Sequence, residues 1–331
     1  MPLPPVRTVE YHTAGEPFRI VAAPPVEIRG ATVAERRMFA IDDPAVDGLR
    51  RLLCFEPRGH ADMYGGFITP PDDDGAHFGV LFWHKDGFST ACGHGTIALG
   101  VWAVRSGRVA ADPSGVTDVI IDVPSGRVIA RVRDARVDFV NVASYVLARD
   151  VPVATSAGDT VASLCFGGAI YACVSATSLG LAVTPSHLPA LIALGREIKW
   201  ALNDSAHHPS DARLSGVYGT IFFDDLGRDG DAVHQRNVTI FADGEVDRSP
   251  CGSGTCARVA DLVDSGALRP GQELRHDSII GTQFRARVLS SVIAEGRPAV
   301  IPQITGMAYP TGEAVFTIDP DDPLVPGFVL R

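Results

Sequence analysis

Two short strings in the chain combine a thiol with glycines in a way that could do chemistry: Cys92-Gly93-His94-Gly95-Thr96 and Cys251-Gly252-Ser253-Gly254-Thr255. Each follows a β-rich segment ending in an Asp-Gly turn, Val80–Gly87 before the first and Val238–Gly244 before the second, and each leads into an apolar helical pattern. The paired glycines let the backbone approach a ligand closely. A helix that starts there leaves its first N–H groups unpaired and its dipole positive toward the loop. Each loop is therefore expected to cradle a small anion such as a carboxylate. The same field favours thiolate over thiol, so Cys92 and Cys251 are expected to titrate below a free cysteine. The two cysteines lie about half of the 331-residue chain apart, as two related halves each supplying one loop would place them.

Two thiols in matched settings suit one task in particular: one removes a proton from one face of a carbon acid and the other delivers a proton to the opposite face. That is a two-base racemisation or epimerisation at an amino acid Cα, with the loop N–H groups stabilising enolate-like charge on the carboxylate. Other uses of cysteine fit less well. A papain-like pairing of Cys92 with His94 leaves the duplicate loop unexplained. Zinc held by Cys92, His94, Cys251 and Cys256 lacks the ligand spacings of such sites, and no metal is expected. Neither loop carries the Lys-Ser or Lys-Thr of a phosphate-binding loop. Pyridoxal phosphate needs a Schiff-base lysine, and the chain's two lysines, Lys85 and Lys199, stand in no recognisable cofactor setting. A cofactor-independent route is expected. Cys256 reads as packing, in a stripe with Ala260 and Val263, and Cys54, Cys165 and Cys173 as small hydrophobes in apolar surroundings.

The elements that must position these loops are mostly strands. Segments 79–83, 118–123, 127–132 and 217–223 are rich in β-branched and aromatic residues and mostly bounded by Gly, Asp or Pro. Helical periodicity is clearest at Ile97, Val101 and Val104, at Val259, Leu262 and Val263, and across Leu188 to Trp200. The turn-rich stretches Pro70–Ala76, Asp150–Asp159, Asn203–Ser215 and Asp224–Asp231 read as surface loops. The class is mixed α/β (α+β) with many antiparallel pairings. With 46% hydrophobic residues the chain can bury one large core or two smaller ones. A net charge of -10 and the absence of a Lys/Arg block disfavour nucleic acid and anionic membrane surfaces as partners. The segment Met1–Arg7 has no basic, apolar leader pattern, and no uninterrupted run of about 18 apolar residues occurs, so a soluble, cytoplasmic protein is expected.

These strings resemble the proline racemase family, which includes hydroxyproline 2-epimerases and trans-3-hydroxy-L-proline dehydratases. The resemblance covers most of the chain and rests on Met63-Tyr64-Gly65, on Cys92–Thr96, and on Asp247-Arg248-Ser249-Pro250-Cys251-Gly252-Ser253-Gly254-Thr255, a highly specific string. It implies a diaminopimelate epimerase-like fold of two pseudo-symmetric lobes with the active site between them. Residues 1–145 would form the lobe carrying Cys92, completed by 312–331, and residues 146–311 the lobe carrying Cys251. By the same resemblance Cys92 and Cys251 are the acid/base pair. Gly93, His94, Gly252 and Ser253 would line the carboxylate site, Asp247 would hold the ring nitrogen, and Tyr64 and Phe241 would line the ring pocket. The implied partner is a small imino acid, proline or hydroxyproline, and a homodimer is compatible with the sequence.

The subfamily signals conflict. Glu56–Gly65, Ala76–Gly79, Gly167–Ala169 and Phe241–Asp247 look most like the dehydratases, which characteristically carry Thr where this chain has Cys251. Elimination of water needs one base on one face, whereas inversion at Cα needs a proton donor on the other, a task for which a thiol is better suited than a threonine hydroxyl. The expected activity is therefore hydroxyproline 2-epimerisation, with dehydration of trans-3-hydroxy-L-proline as the alternative. A non-catalytic imino acid binding protein is a second alternative, against which the pair of cysteines argues.

Overall fold

A computed structural model describes residues 4–330; Met1 to Leu3 of the N-terminal segment read above lie outside the described residues. The chain divides into two compact units. One comprises residues up to Thr13, Pro17–Val137 and residues from Met307 on; the other comprises Ala14–Glu16 and Asp138–Gly306.

In the first unit, strand Tyr64–Thr69 pairs antiparallel with Phe78–His84, and residues 19–21 run parallel to its start. Strand Val6–Thr13 pairs antiparallel with residues 308–316, and Thr117–Val123 forms a hairpin with Gly126–Arg133. Three helices accompany these strands: α1 (Val33–Asp42), α2 (Pro44–Cys54) and α3 (Gly93–Arg105). Sequence periodicity revealed α3 but neither α1 nor α2. Both nonetheless carry local start signals. Thr32 and Glu35 form a reciprocal capping box, and the Asp43 carboxylate accepts from the amides of Ala45 and Val46, with Pro44 in the first turn. The inward faces of α1 and α2 bury Val33, Ala40, Val46, Leu49, Leu52 and Leu53 with Phe67, Leu81 and Trp83 of the strands.

The second unit is built on strands Gly158–Phe166, Ile170–Ser175, Val217–Asp229 and Ala232–Phe241, each paired with the next. Leu274–Ser278 runs parallel to Ala232–Phe241 and antiparallel to Gln283–Ala294. Helix α4 (Leu188–Leu202) packs Leu191, Leu194 and Ile198 into a core with Ala172, Val174 and Ile240, and helix α5 (Gly252–Asp264) carries the second glycine loop at its start. A Cβ at Gly195 would come within 2.6 Å of Ile240, so glycine is what lets α4 sit this close to the strand.

The four strand segments and three helical stretches read from the sequence all lie inside observed elements. Two of the expected surface loops are instead parts of paired strands. Residues 150–159 belong to a hairpin of Tyr145–Thr155 with Gly158–Phe166, and residues 224–231 to a hairpin of Val217–Asp229 with Ala232–Phe241. Their polar composition marks solvent exposure, but backbone pairing with a neighbouring strand does not require apolar side chains. Pro70–Ala76 and Asn203–Ser215 are connections, the latter containing two short 3-10 turns.

Candidate functional site

The expected repeat is present as structure. In the first unit strand Phe78–His84 turns at Gly87, whose φ is +138°, pairs with the two-residue strand Gly87–Phe88, and reaches Cys92 and the 13-residue α3. In the second, strand Ala232–Phe241 turns at Gly244, φ +98°, pairs with Glu245–Asp247, and reaches Cys251 and the 13-residue α5.

Cys92 is the N-cap of α3. Its backbone is extended, with φ -155°, and its sulfur accepts the amide N–H of Gly95 at 3.2 Å. His94 places its imidazole beside the same sulfur, Nδ1 at 3.5 Å and Nε2 at 3.6 Å. Tyr64 and Phe18, themselves stacked, both meet that ring edge-to-face, with centroids 4.9 Å and 5.8 Å away. The Tyr64 hydroxyl pairs with Ser89 Oγ at 2.5 Å. The helical ladder begins at Thr96 N to Cys92 O, which leaves the Gly93 N–H in the first turn ahead of it. The structure thus brings Cys92, Gly93, His94 and Tyr64 together in one buried cluster.

Cys251 is different in detail. Its φ is +62° with ψ 111°, outside the allowed regions of an ordinary L-residue, a conformation that costs on the order of 1–3 kcal/mol unless the surroundings enforce it. Asp247 Oδ1 accepts from both the amide and the hydroxyl of Ser249, and Ser249 Oγ accepts the Cys251 N–H at 3.1 Å. Asp247 therefore acts as a turn residue through Oδ1. Ser253 Oγ pairs with the Tyr171 hydroxyl at 2.7 Å, Tyr171 meets Tyr218 edge-on, and Tyr218 stacks on Phe241 at 5.7 Å. Asp247, Cys251, Gly252 and Ser253 thus lie along one loop, with Phe241 linked to it through the two tyrosines.

The Cys251 thiol is pushed well above the ordinary range, first by burial and then by the Asp247 carboxylate. That reverses the expectation of a lowered value. A helix N-terminus favours the thiolate, but here burial and then the neighbouring negative charge outweigh it. All six cysteines are buried and none forms a disulfide; Cys54, Cys165, Cys173 and Cys256, expected as packing residues, share that burial with Cys92 and Cys251. Sequence reading missed Phe18, Ser89, Ser249, Tyr171 and Tyr218. Ser249 stands inside the quoted D-R-S-P-C string and Tyr171 two residues after Gly167-Gly168-Ala169, while nothing local marks Phe18 or Tyr218.

The family model for proline racemase matches residues 8–329. The chain belongs to the proline racemase family. Among relatives, a trans-3-hydroxy-L-proline dehydratase of Bacillus thuringiensis subsp. konkukian is 42% identical over 331 residues, covering 98% of this chain and 97% of that protein. A 3-hydroxyproline 2-epimerase of Burkholderia multivorans is 43% identical over 332 residues, covering 98% of each. The solved structure of a hydroxyproline epimerase from Agrobacterium vitis, with bound trans-4-hydroxy-L-proline, superimposes with a TM-score of 0.91 at 31% identity, over 100% of this chain and 97% of that one. The proline racemase fold is therefore that of this chain. Among the described residues, no helix is long and apolar enough to cross a membrane.

Proposed function

We propose that this member of the proline racemase family inverts Cα of a hydroxyproline without a cofactor, using Cys92 and Cys251 as the two acid/base groups. The observation that carries the reading is the chemistry at residue 251: a buried thiol beside a carboxylate, which keeps its proton near neutrality and suits the role of donor. At Cys92 the Gly95 N–H donates to the sulfur, a contact that strengthens when the sulfur is anionic and so supports its use as the base. As thiolate, Cys92 takes the Cα proton and leaves an enolate-like carboxylate. Cys251 gives its proton to the opposite face and becomes the thiolate, and the reverse direction exchanges the roles. The first-turn amides of α3 and α5, including those of Gly93 and Gly252, would bind the carboxylate as charge builds on it. His94, Ser253, Asp247, Tyr64 and Phe241 would complete the site, Asp247 holding the ring nitrogen and the two aromatics lining the ring.

The second reading is dehydration of trans-3-hydroxy-L-proline, the activity named for a relative 42% identical to this chain. Wild-type protein incubated separately with trans-4- and trans-3-hydroxy-L-proline in heavy water separates the readings. Inversion with deuterium at Cα supports the epimerase. An unsaturated imino acid product without inversion of any proline replaces it with the dehydratase, and an untouched Cα–H in a bound ligand leaves a binding protein.

A further inference from the structure

The strained backbone of Cys251 has a support that its counterpart lacks. In the first unit the threonine of the repeated string bonds the carbonyl of its own cysteine, Thr96 Oγ1 to Cys92 O at 2.7 Å. In the second, Thr255 Oγ1 reaches one residue further back and donates to Pro250 O at 2.9 Å. That carbonyl and the Cys251 N–H are the two polar groups of a single peptide unit, and the N–H is already held by Ser249 Oγ. Both ends of the plane are thus fixed, and returning Cys251 to negative φ by turning that plane would break both bonds.

Thr255 has a second partner, the buried His276 of strand Leu274–Ser278, whose Nδ1 lies 2.8 Å from Oγ1. A hydroxyl carries one proton. The Pro250 carbonyl can only accept, so the proton goes there, and the contact with His276 requires Nδ1–H as donor. Nε2 is then a bare lone pair, fully buried and without a hydrogen-bond partner among the described residues. Burial and then the Arg258 charge hold the imidazole pKa down at about 3, so the ring stays neutral at neutral pH and the hydroxyl contact selects its tautomer. An apolar side chain would fill the position without leaving a buried nitrogen unpaired, which points to a use for the Nδ1 donor itself.

We propose that His276 is a positioning residue for Cys251: through the Thr255 hydroxyl it fixes the Pro250 carbonyl and so keeps Cys251 at φ +62°, the conformation that presents its sulfur for proton transfer. The inference rests on the acid/base reading of Cys251. Its test therefore includes a measurement that needs no substrate: the iodoacetamide alkylation rates of Cys251 and Cys92 in the same full-length molecule, read by mass spectrometry, beside kcat and KM for hydroxyproline.

His276→Leu and the near-isosteric Thr255→Val should each lower kcat roughly ten- to a hundred-fold with little change in KM, as expected when a reacting group is misplaced by a fraction of an ångström to an ångström. They should also change the Cys251 alkylation rate by about fivefold or more while Cys92 keeps its wild-type rate, because only one thiol has lost its geometry. His276→Asn, which can offer an N–H where Nδ1 stood, and Thr255→Ser, which keeps the hydroxyl, should recover most of both. If His276→Leu fails to fold, Thr255→Val carries the test. Unchanged ratios of the two alkylation rates in the folded variants, equal changes at both cysteines, or an Asn variant as impaired as the Leu variant would overturn the proposal. A wild type that turns over no hydroxyproline would instead remove the epimerase reading, with the alkylation ratio still deciding the role of His276.

Discussion

The amide of Gly95 donates to the sulfur of Cys92 at 3.2 Å, and the space for that contact exists because residue 95 has no side chain. A Cβ built there would lie 2.8 Å from Sγ and within 2.5 Å of the Phe18 ring. The equivalent Cβ at Gly254 would lie 2.8 Å from Cys251 Sγ and 3.1 Å from Ile221 Cδ1. The second glycine of each string therefore does more than start a helix: it leaves room for the sulfur.

Gly95→Ala and Gly254→Ala should both displace a sulfur, and each is expected to lower kcat about ten- to a hundred-fold. Stability should separate them. The Phe18 ring cannot yield as the end of Ile221 can, so Gly95→Ala should cost about 1–3 kcal/mol by overpacking and Gly254→Ala less. Gly48→Ala, inside α2 with nothing within 4 Å of the added carbon, is the control and should stabilise by about 0.5–1 kcal/mol. Steady-state kinetics with urea melts checks all three, and wild-type kcat in Gly95→Ala and Gly254→Ala would remove the steric argument.

Buried titratable groups set limits on stability from both sides of neutrality. Burial raises the thiols of Cys165, Cys251 and Cys256, so the folded protein keeps protons that the unfolded chain releases above about pH 8.5, and stability should fall as pH rises beyond that point. Burial lowers His276 to about 3 and depresses His84 as well, so below about pH 6.5 the unfolded chain takes up protons that the fold refuses. Stability should then fall by about 1.4 kcal/mol per pH unit for each such histidine on the way down toward its folded pKa. Thermal melts from pH 4 to 10, a range of about six units, should show a plateau between those two limits. A monotonic profile would contradict the burial-driven shifts.

How far the site was legible follows from what each feature depends on. The C-G-x-G-T strings, the helices behind them and the Asp-Gly turns before them are local, and α3, α5 and both turns stand where the residues put them. The hairpins at 150–159 and 224–231 were hidden because polar residues pair through the backbone as readily as apolar ones. The φ of Cys251 comes with a peptide plane held at both ends, its raised thiol pKa from burial first and then the Asp247 carboxylate, and its support from His276 on another strand; burial and contact between elements are what the spacing of residues does not encode. The two strings look alike as letters, and their cysteines differ because their neighbours do.

A planar analogue tests the carboxylate cradle without catalysis. Pyrrole-2-carboxylate has the flattened Cα of the transition state and should bind more tightly than L-proline. Calorimetry on wild type and on Cys92→Ala and Cys251→Ala should show retained binding in all three, because the first-turn amides proposed to meet the carboxylate remain. Absence of binding alongside tight binding of a nucleotide would mean that the loops serve a different anion.

The decisive variants are at the two sulfurs. In the proposed epimerisation each cysteine is the base in one direction and the acid in the other, so Cys251→Ser or Cys251→Thr should abolish inversion in both directions, by about a thousandfold or more when an acid/base group of this kind is lost. Elimination from trans-3-hydroxy-L-proline needs only the base on the Cα–H face, together with a route for hydroxide to leave. If that base is Cys92, Cys251→Thr should lose epimerisation while retaining or gaining dehydration, and Cys92→Ala should lose both. Chiral chromatography scores inversion, and the unsaturated imino acid product scores elimination. Inversion that survives at wild-type rate in Cys251→Thr would show that the second proton comes from elsewhere. Equal loss of both reactions in Cys251→Thr would show instead that this thiol is needed before the two paths diverge.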